Sequence, residues 1–338
     1  NNLIQFQGHV CEPEKILFGG GKCEIPNDRY DWSAAFRDKP MLSSVPLNKW
    51  VIIYPGAAMW CVDKIVTYMQ RVSKPLHFTI ANPLELIKIS GDQPHEYVKA
   101  IDEVMNKYKG NVQLLFVILP RQVVEAYSAI KKRASLEFGV PSQCFVAKTA
   151  QNDKRLMSVC TKLVVQMNAK LGGVPWKVAI PPKDLMVVGF DAHHTKKTTG
   201  RSIGAMVAST SETHGKYFST SSSLSTRTDL SENVCADFTK CLHAWKRING
   251  QLPDKIIFYR DGVGQGQLVH VFETELSNIK AAIHGIYQGA ERAMPKFMFI
   301  VVTKRLNTRI FKLETKGQGH VNPSPGTVVD DVITYPER

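Results

Sequence analysis

The chain has no long apolar run, no paired cysteines and too few acids to balance its bases. Nowhere in its 338 residues do about eighteen apolar positions follow one another, so no membrane-spanning helix and no membrane partner are expected. The seven cysteines, at 11, 23, 61, 144, 160, 235 and 241, are odd in number and contain no Cys-x-x-Cys pair. That speaks against a zinc site or a disulfide framework and suits buried thiols in a reducing compartment. No period of about 20–50 residues recurs, which removes solenoids and propellers. Asn1-Asn2-Leu3-Ile4-Gln5 shows neither an initiator Met nor a signal-peptide pattern and reads as part of a longer chain.

What is present is an ordinary globular composition, 43% hydrophobic and 22% charged, long enough for two domains. Lys and Arg outnumber Asp and Glu by 43 to 30, a formal charge of +13. Such a surplus favours a polyanionic partner through phosphate contacts and counterion release.

Residues 1–45 lack a period, are interrupted by Gly19-Gly20-Gly21, and read as a connector packed on the surface of the lobe. From Trp50 apolar runs alternate with helical stretches. Strands are expected at 50–54, 77–80, 112–119 and 144–147, and helices at 58–74, 96–107, 123–138 and 154–171. That alternation indicates a parallel α/β sheet. After Val174-Pro175 and Pro181-Pro182 a second unit begins, with strands expected through 187–191, 203–209, 255–261 and 297–302. Residues 233–248 and 267–276 read as helices, and the Ser/Thr-rich 219–228 as an edge or surface loop.

Two of these runs stop at an aspartate: Val187-Val188-Gly189-Phe190-Asp191, and Lys255-Ile256-Ile257-Phe258-Tyr259-Arg260-Asp261. One aspartate after a strand is more often a helix cap or a turn residue than a ligand. Two, on neighbouring strands of a basic protein, can hold a divalent cation between them and support phosphodiester hydrolysis. His193 and His194 follow the first aspartate and are more simply surface residues. The Gly-rich segment after Asp261 lacks the Lys-Ser/Thr of a P-loop.

A second constellation lies on two helices. Tyr127 and Lys131, and Gln166 and Lys170, are each four apart and so share a face, with Gln143 just before the intervening strand. Ammonium groups, amides and a phenol in one place suit a terminal phosphate and a stacked base. Each of them alone is more often a solvated helix-face residue. Arg305 and Arg309 beside Lys304 form a further basic cluster, equally consistent with phosphate contacts and with a solvated face.

Tyr259-Arg260-Asp261-Gly262-Val263-Gly264-Gln265-Gly266-Gln267-Leu268 closely resembles a signature of Piwi proteins, the animal germline branch of the Argonautes. Val188-Gly189-Phe190-Asp191-Ala192-His193-His194 looks like its companion strand. Asn168-Ala169-Lys170-Leu171-Gly172-Gly173, Asn307-Thr308-Arg309 and Asn322-Pro323-Ser324-Pro325-Gly326-Thr327-Val328-Val329-Asp330 fit the same family in the same order. The resemblance implies a Rossmann-like MID domain over 46–182 and an RNase H-like PIWI domain over 183–338, an α/β fold class throughout. It assigns Tyr127, Lys131, Gln143, Gln166 and Lys170 to the pocket for a guide RNA's 5′-phosphate. Gln166 replaces a commoner Lys and implies a Mg²⁺ ion shared with that phosphate. It also implies Mg²⁺-dependent cleavage of target RNA at Asp191 and Asp261, with Arg305 and Arg309 on the RNA backbone.

The family's site adds a Glu from a loop. Counted back from Asp261 without gaps, Asp229 takes that position and Glu232 lies three residues on. Gln265 stands where the family usually has Asp. The fourth ligand, usually His, and the terminal carboxylate at the 5′-end ion belong to a segment beyond Arg338. The N-terminal and PAZ domains also lie outside this sequence. The implied partners are a piRNA guide, a complementary target RNA and Tudor-type silencing proteins, in cytoplasmic germline granules or the nucleus. Two alternatives stay open: a guide-dependent binding protein that recruits without cutting, and an unrelated RNase H-type nuclease that uses no guide.

Overall fold

The computed structural model describes residues 3–194, 202–224, 227–304, 306–313 and 319–331, with the backbone alone at 194, 202, 224, 227–232 and 265. The chain divides into two compact units, Pro13–Ala179 and Asn1–Glu12 with Ile180–Arg338. Residues 1–45, expected to form one connector, are instead shared between them. His9–Val10 pairs antiparallel with Thr327–Val328 in the second unit. In the first, Ile16–Leu17 pairs with Cys23–Glu24 and with Lys177–Val178, and Trp176 packs against the rings of Trp32 and Phe36.

The first unit runs β1 (Trp50–Pro55), α1 (Val62–Ser73), β2 (Glu85–Ile89), α2 (Pro94–Lys107), β3 (Leu114–Leu119), α3 (Val124–Lys131), β4 (Ser142–Val146) and α4 (Asp153–Lys170). Its sheet has the order β2-β1-β3-β4 and every pair is parallel. Parallel sheets are covered on both faces, so their central strands are continuously apolar, and every residue of β1 and β3 is buried. Alternate side chains point to opposite faces. Trp50, Ile52, Phe116 and Ile118 pack under α1 and α4, whereas Val51, Ile53, Leu115 and Val117 pack under α2 and α3.

The expected strand at 77–80 is absent: Ile80 makes only a single bridge to Leu47, and His77 has φ +53°. The sheet's second strand is β2 instead. The helix expected over 123–138 is α3 followed by a wider turn over Lys132–Glu137.

The second unit contains β5 (Leu185–His194), β6 (Ser202–Ser209), β7 (Tyr217–Leu224), α5 (Arg227–Asn249), β8 (Lys255–Asp261), α6 (Leu276–Gly289) and β9 (Lys296–Val302). Its sheet has the order β7-β6-β5-β8-β9, antiparallel from β7 to β5 and parallel from β5 to β9. Of the stretch 219–228, expected as an edge or surface loop, residues 219–224 belong to the edge strand β7, which pairs along its whole length with β6. The helix expected over 267–276 is a helical entry that continues to Gly289. Met186, Val188, Phe190, Ile256 and Phe258 form one face of the sheet with Phe238 and Trp245 of α5 and Ile279 and Ile283 of α6. By alternation Asp191 and Asp261 lie on the other face. No described helix is long and apolar enough to cross a membrane.

Candidate functional site

In the first unit two helices deliver cations to one carbonyl. Lys131 closes α3 just before the wider turn that continues it, and Lys170 is the last residue of α4, where the negative end of the helix dipole favours an ammonium. Lys131 Nζ donates to Ser142 O at 2.7 Å and to Ser142 Oγ at 2.8 Å. Lys170 Nζ donates to the same carbonyl at 2.8 Å and to Gln143 Oε1 at 2.7 Å. Gln143 in turn donates to Gln166 Oε1 at 3.3 Å. Lys131 Nζ lies 5.5 Å from the centre of the half-exposed Tyr127 ring. All five residues singled out in sequence therefore meet at the start of β4.

Two residues at this site carry no signal in the sequence pattern. Ser142 supplies its acceptors largely through the backbone, which any residue type could do. The Cys144 thiol is pushed up by burial, against the nearby charges of Lys131 and Lys170. Lys170 is lowered to about 8, first by burial and second by Lys131, although the residue as a whole is exposed.

The end of α4 is held by Asn168, which is fully buried. Its Nδ2 donates to Ser43 O at 2.9 Å, and Val45 N donates to its Oδ1 at 3.0 Å. The chain then turns through Gly172 at φ +92°, and a Cβ on Gly173 would stand 2.1 Å from Asn168 Oδ1. Two grooves of about 620 and 530 Å³ lie elsewhere, against Arg71 of α1, and contain none of these five residues.

In the second unit, β5 and β8 are in parallel register through Phe190 and Arg260, so the next residues, Asp191 and Asp261, are neighbours. Contrary to the sequence expectation, β5 does not stop at Asp191 but continues to His194, with Asp191 opposite Ala205 of β6. Strand β8 does stop, because Gly262 turns at φ +75°. A Cβ on Gly262 would stand 3.2 Å from Asp191 Oδ1, so glycine serves both the turn and the approach of the two carboxylates.

Each carboxylate has one oxygen fixed by the chain: Asp191 Oδ1 accepts from Ala192 N at 2.7 Å, and Asp261 Oδ1 from Gly262 N at 2.8 Å. Asp261 Oδ2 takes an ion pair from Lys304. That bond is the largest cause holding Asp261 below the usual carboxylate range. Behind Asp261, Arg260 is buried in a bidentate pair with Glu275, its Nε donating at 2.8 Å and its Nη2 at 3.2 Å. Its Nη1 donates to Asp261 O at 2.5 Å, and the guanidinium lies over the Phe190 ring at 4.9 Å.

Among the described residues no third His, Cys, Asp or Glu completes a metal cluster. The side chains of Asp229 and Glu232, both on α5, and the whole of Arg305 lie outside the described residues. The same holds for the Gln265 side chain. His193 is exposed. Arg309 donates Nη1 to Leu306 O at 3.1 Å, within its own loop.

The Piwi domain profile matches residues 114–338. Protein aubergine of Drosophila melanogaster is 38% identical over 342 residues, covering 99% of this chain and 38% of the relative. Piwi-like protein Siwi of Bombyx mori is 34% identical, covering 99% of this chain and 36% of that protein. The crystal structure of Drosophila Piwi superposes with a TM-score of 0.87 at 31% identity, over 98% of this chain and 44% of that one. The chain belongs to the Piwi family, and its fold is a Rossmann-like MID domain followed by an RNase H-like PIWI domain. It spans less than two fifths of the length of these two curated relatives.

Proposed function

We propose that this chain is the guide-gripping and target-cutting part of a piRNA-guided silencing protein. A guide 5′-phosphate would be held by Lys131, Lys170, Gln143 and Gln166, with Tyr127 stacking on the first base. The observation that carries this reading is the convergence of both ammonium groups on the single Ser142 carbonyl. Two like charges meeting at one acceptor are relieved by an anion, and a dianionic phosphate with several acceptor oxygens suits them. Gln166, an amide where a third ammonium would otherwise stand, leaves room for Mg²⁺ on that phosphate.

In the second unit Asp191 and Asp261 would hold the catalytic Mg²⁺, with Asp229 or Glu232 as the third carboxylate. The pair fits such an ion: it offers hard oxygen ligands from adjacent strands, and its outward oxygen already accepts a cationic nitrogen. When bound, the metal activates water and stabilises the leaving oxygen of the phosphodiester. The chain's own part is preorganisation. The Ala192 and Gly262 amides orient the carboxylates, and Arg260 anchors the Asp261 carbonyl through Glu275. Base pairing between guide and target would supply sequence selection, and the basic surface would hold the backbones.

A second reading, guide-dependent binding and recruitment without cutting, is favoured by Asp229, an Asp one methylene shorter than the Glu usual at that position in the family. Loading the intact protein with a 5′-phosphorylated guide and a fully paired RNA target in Mg²⁺ separates the two. A single cut at a fixed distance from the guide's 5′ end, lost in Asp191→Ala with guide binding retained, is the expected result. Tight target binding without a cut would leave the recruiting reading. Guide binding indifferent to the 5′-phosphate would remove both.

A further inference from the structure

Lys304 lies two residues beyond the end of β9, and the parallel register that sets Asp261 opposite Val302 brings it to the carboxylate pair. Its Nζ bonds the outward oxygen of Asp261, and Asp191 acts on the same ammonium. Asp261 Oδ1 is already committed to Gly262 N, so Lys304 holds the oxygen that a metal ion would need. A second cation nearby, Arg260, is spent on Glu275 and the Asp261 carbonyl. The Lys304 side chain is 69% exposed and reaches Asp261 from solvent, so the contact is specific yet easily released.

We infer that Lys304 is a built-in competitor of the catalytic metal, an ammonium that holds the carboxylate seat and must leave before a divalent cation can enter. This rests on the reading of Asp191 and Asp261 as metal ligands. An ammonium and a dication cannot share one carboxylate oxygen without strong repulsion. Metal entry alone therefore strips Lys304 of its partner. An RNA phosphate at the same face offers the displaced ammonium a new anion. RNA then raises metal affinity, and the metal raises RNA affinity by the same factor. The device would keep the metal site closed until a backbone is present.

The test is Mn²⁺ binding to the intact protein without RNA, read by calorimetry and by the electron paramagnetic resonance of the bound ion. Lys304→Met should tighten Mn²⁺ binding by about two- to fivefold, while Lys304→Arg, which keeps a cation, should bind like the wild type. A non-cleavable guide–target duplex should tighten Mn²⁺ binding in the wild type and much less in Lys304→Met. Asp191→Ala should remove the bound ion. If it does, and Lys304→Met binds Mn²⁺ no more tightly than the wild type, the competitor is refuted and the metal site stands. If Asp191→Ala leaves the ion in place, the metal site itself is refuted and the competitor with it.

Discussion

Raising the pH from about 7 to about 9 should weaken binding of a 5′-phosphorylated guide without weakening that of a 5′-hydroxyl guide. In the free pocket Lys170 is lowered from 10.5 to about 8, by burial first and by Lys131 second. Near pH 7 it is then about nine-tenths protonated, and near pH 9 about one-tenth. A phosphate bound beside it favours the charged form and returns it toward its ordinary value, so binding takes up a proton. Affinity therefore falls as pH rises through 8. The ligand does not confuse the sign, because the second ionisation of a phosphate monoester lies near about 6 and is complete over this range. Full restoration of Lys170 amounts to about a tenfold loss of affinity across the two pH units. The residue as a whole is exposed, and screening there reduces the effect to about three- to tenfold. Fluorescence anisotropy of the two guides across the range measures it. Affinity for the phosphorylated guide that stays flat, or an equal fall for both guides, would refute the idea that Lys170 meets the phosphate with a depressed ammonium.

Two structural predictions accompany it. Arg260→Met leaves Glu275, 1% exposed, as an unpaired buried charge and should cost about 3–5 kcal/mol in urea unfolding. Pairing it with Glu275→Leu should recover most of that loss, and failure to recover would mean that Arg260 acts chiefly through the Asp261 carbonyl. Gly173→Ala places a Cβ against Asn168 Oδ1, displaces the residue that ties the end of α4 to Ser43 and Val45, and should cost about 1–3 kcal/mol. Guide affinity should fall with it, since Gln166 and Lys170 sit on that last turn; unchanged affinity would show that the pocket does not depend on the helix end.

The central strands were legible in the sequence, and so were two apolar edge strands, Ser142–Val146 and Lys296–Val302. Trp50–Pro55 and Leu114–Leu119 are covered on both faces, and burial on both faces writes a continuous apolar run. The two strands misread are both sheet edges. Glu85–Ile89 alternates half-buried and exposed positions up to its one buried residue, Ile89, and carries Glu85 and Lys88, while Tyr217–Leu224 is mostly Ser and Thr. An edge strand pairs on one side and is partly wet, so hydrophobic content marks it poorly. At the pocket, the i,i+4 pairs Tyr127/Lys131 and Gln166/Lys170 were legible because helical spacing alone puts them on a face. Their meeting point was not, since the Ser142 carbonyl exists only once β4 is laid beside β3. The contact of Lys304 with Asp261 was hidden for the same reason. It depends on the parallel register of β8 and β9 across 43 residues of sequence, which no local pattern encodes.

The two sites are built on opposite charges but share one electrostatic design, and they differ in how the idle state is stabilised. At the start of β4 two ammonium groups meet with only neutral acceptors, so the strain appears in Lys170 itself, whose charge is weakened by its surroundings. Where Asp191 of β5 lies beside Asp261 at the end of β8, two carboxylates meet an ammonium from the same chain, and Asp261 is held in its charged form instead. An arriving phosphate thus finds nothing to displace and relieves a repulsion at once, which favours early and tight capture of the guide. An arriving metal ion must first displace Lys304, which defers its entry until another anion is present. The proposed function, guided cleavage, would need that order, with the guide held throughout and the cutting centre assembled only when a target backbone reaches it.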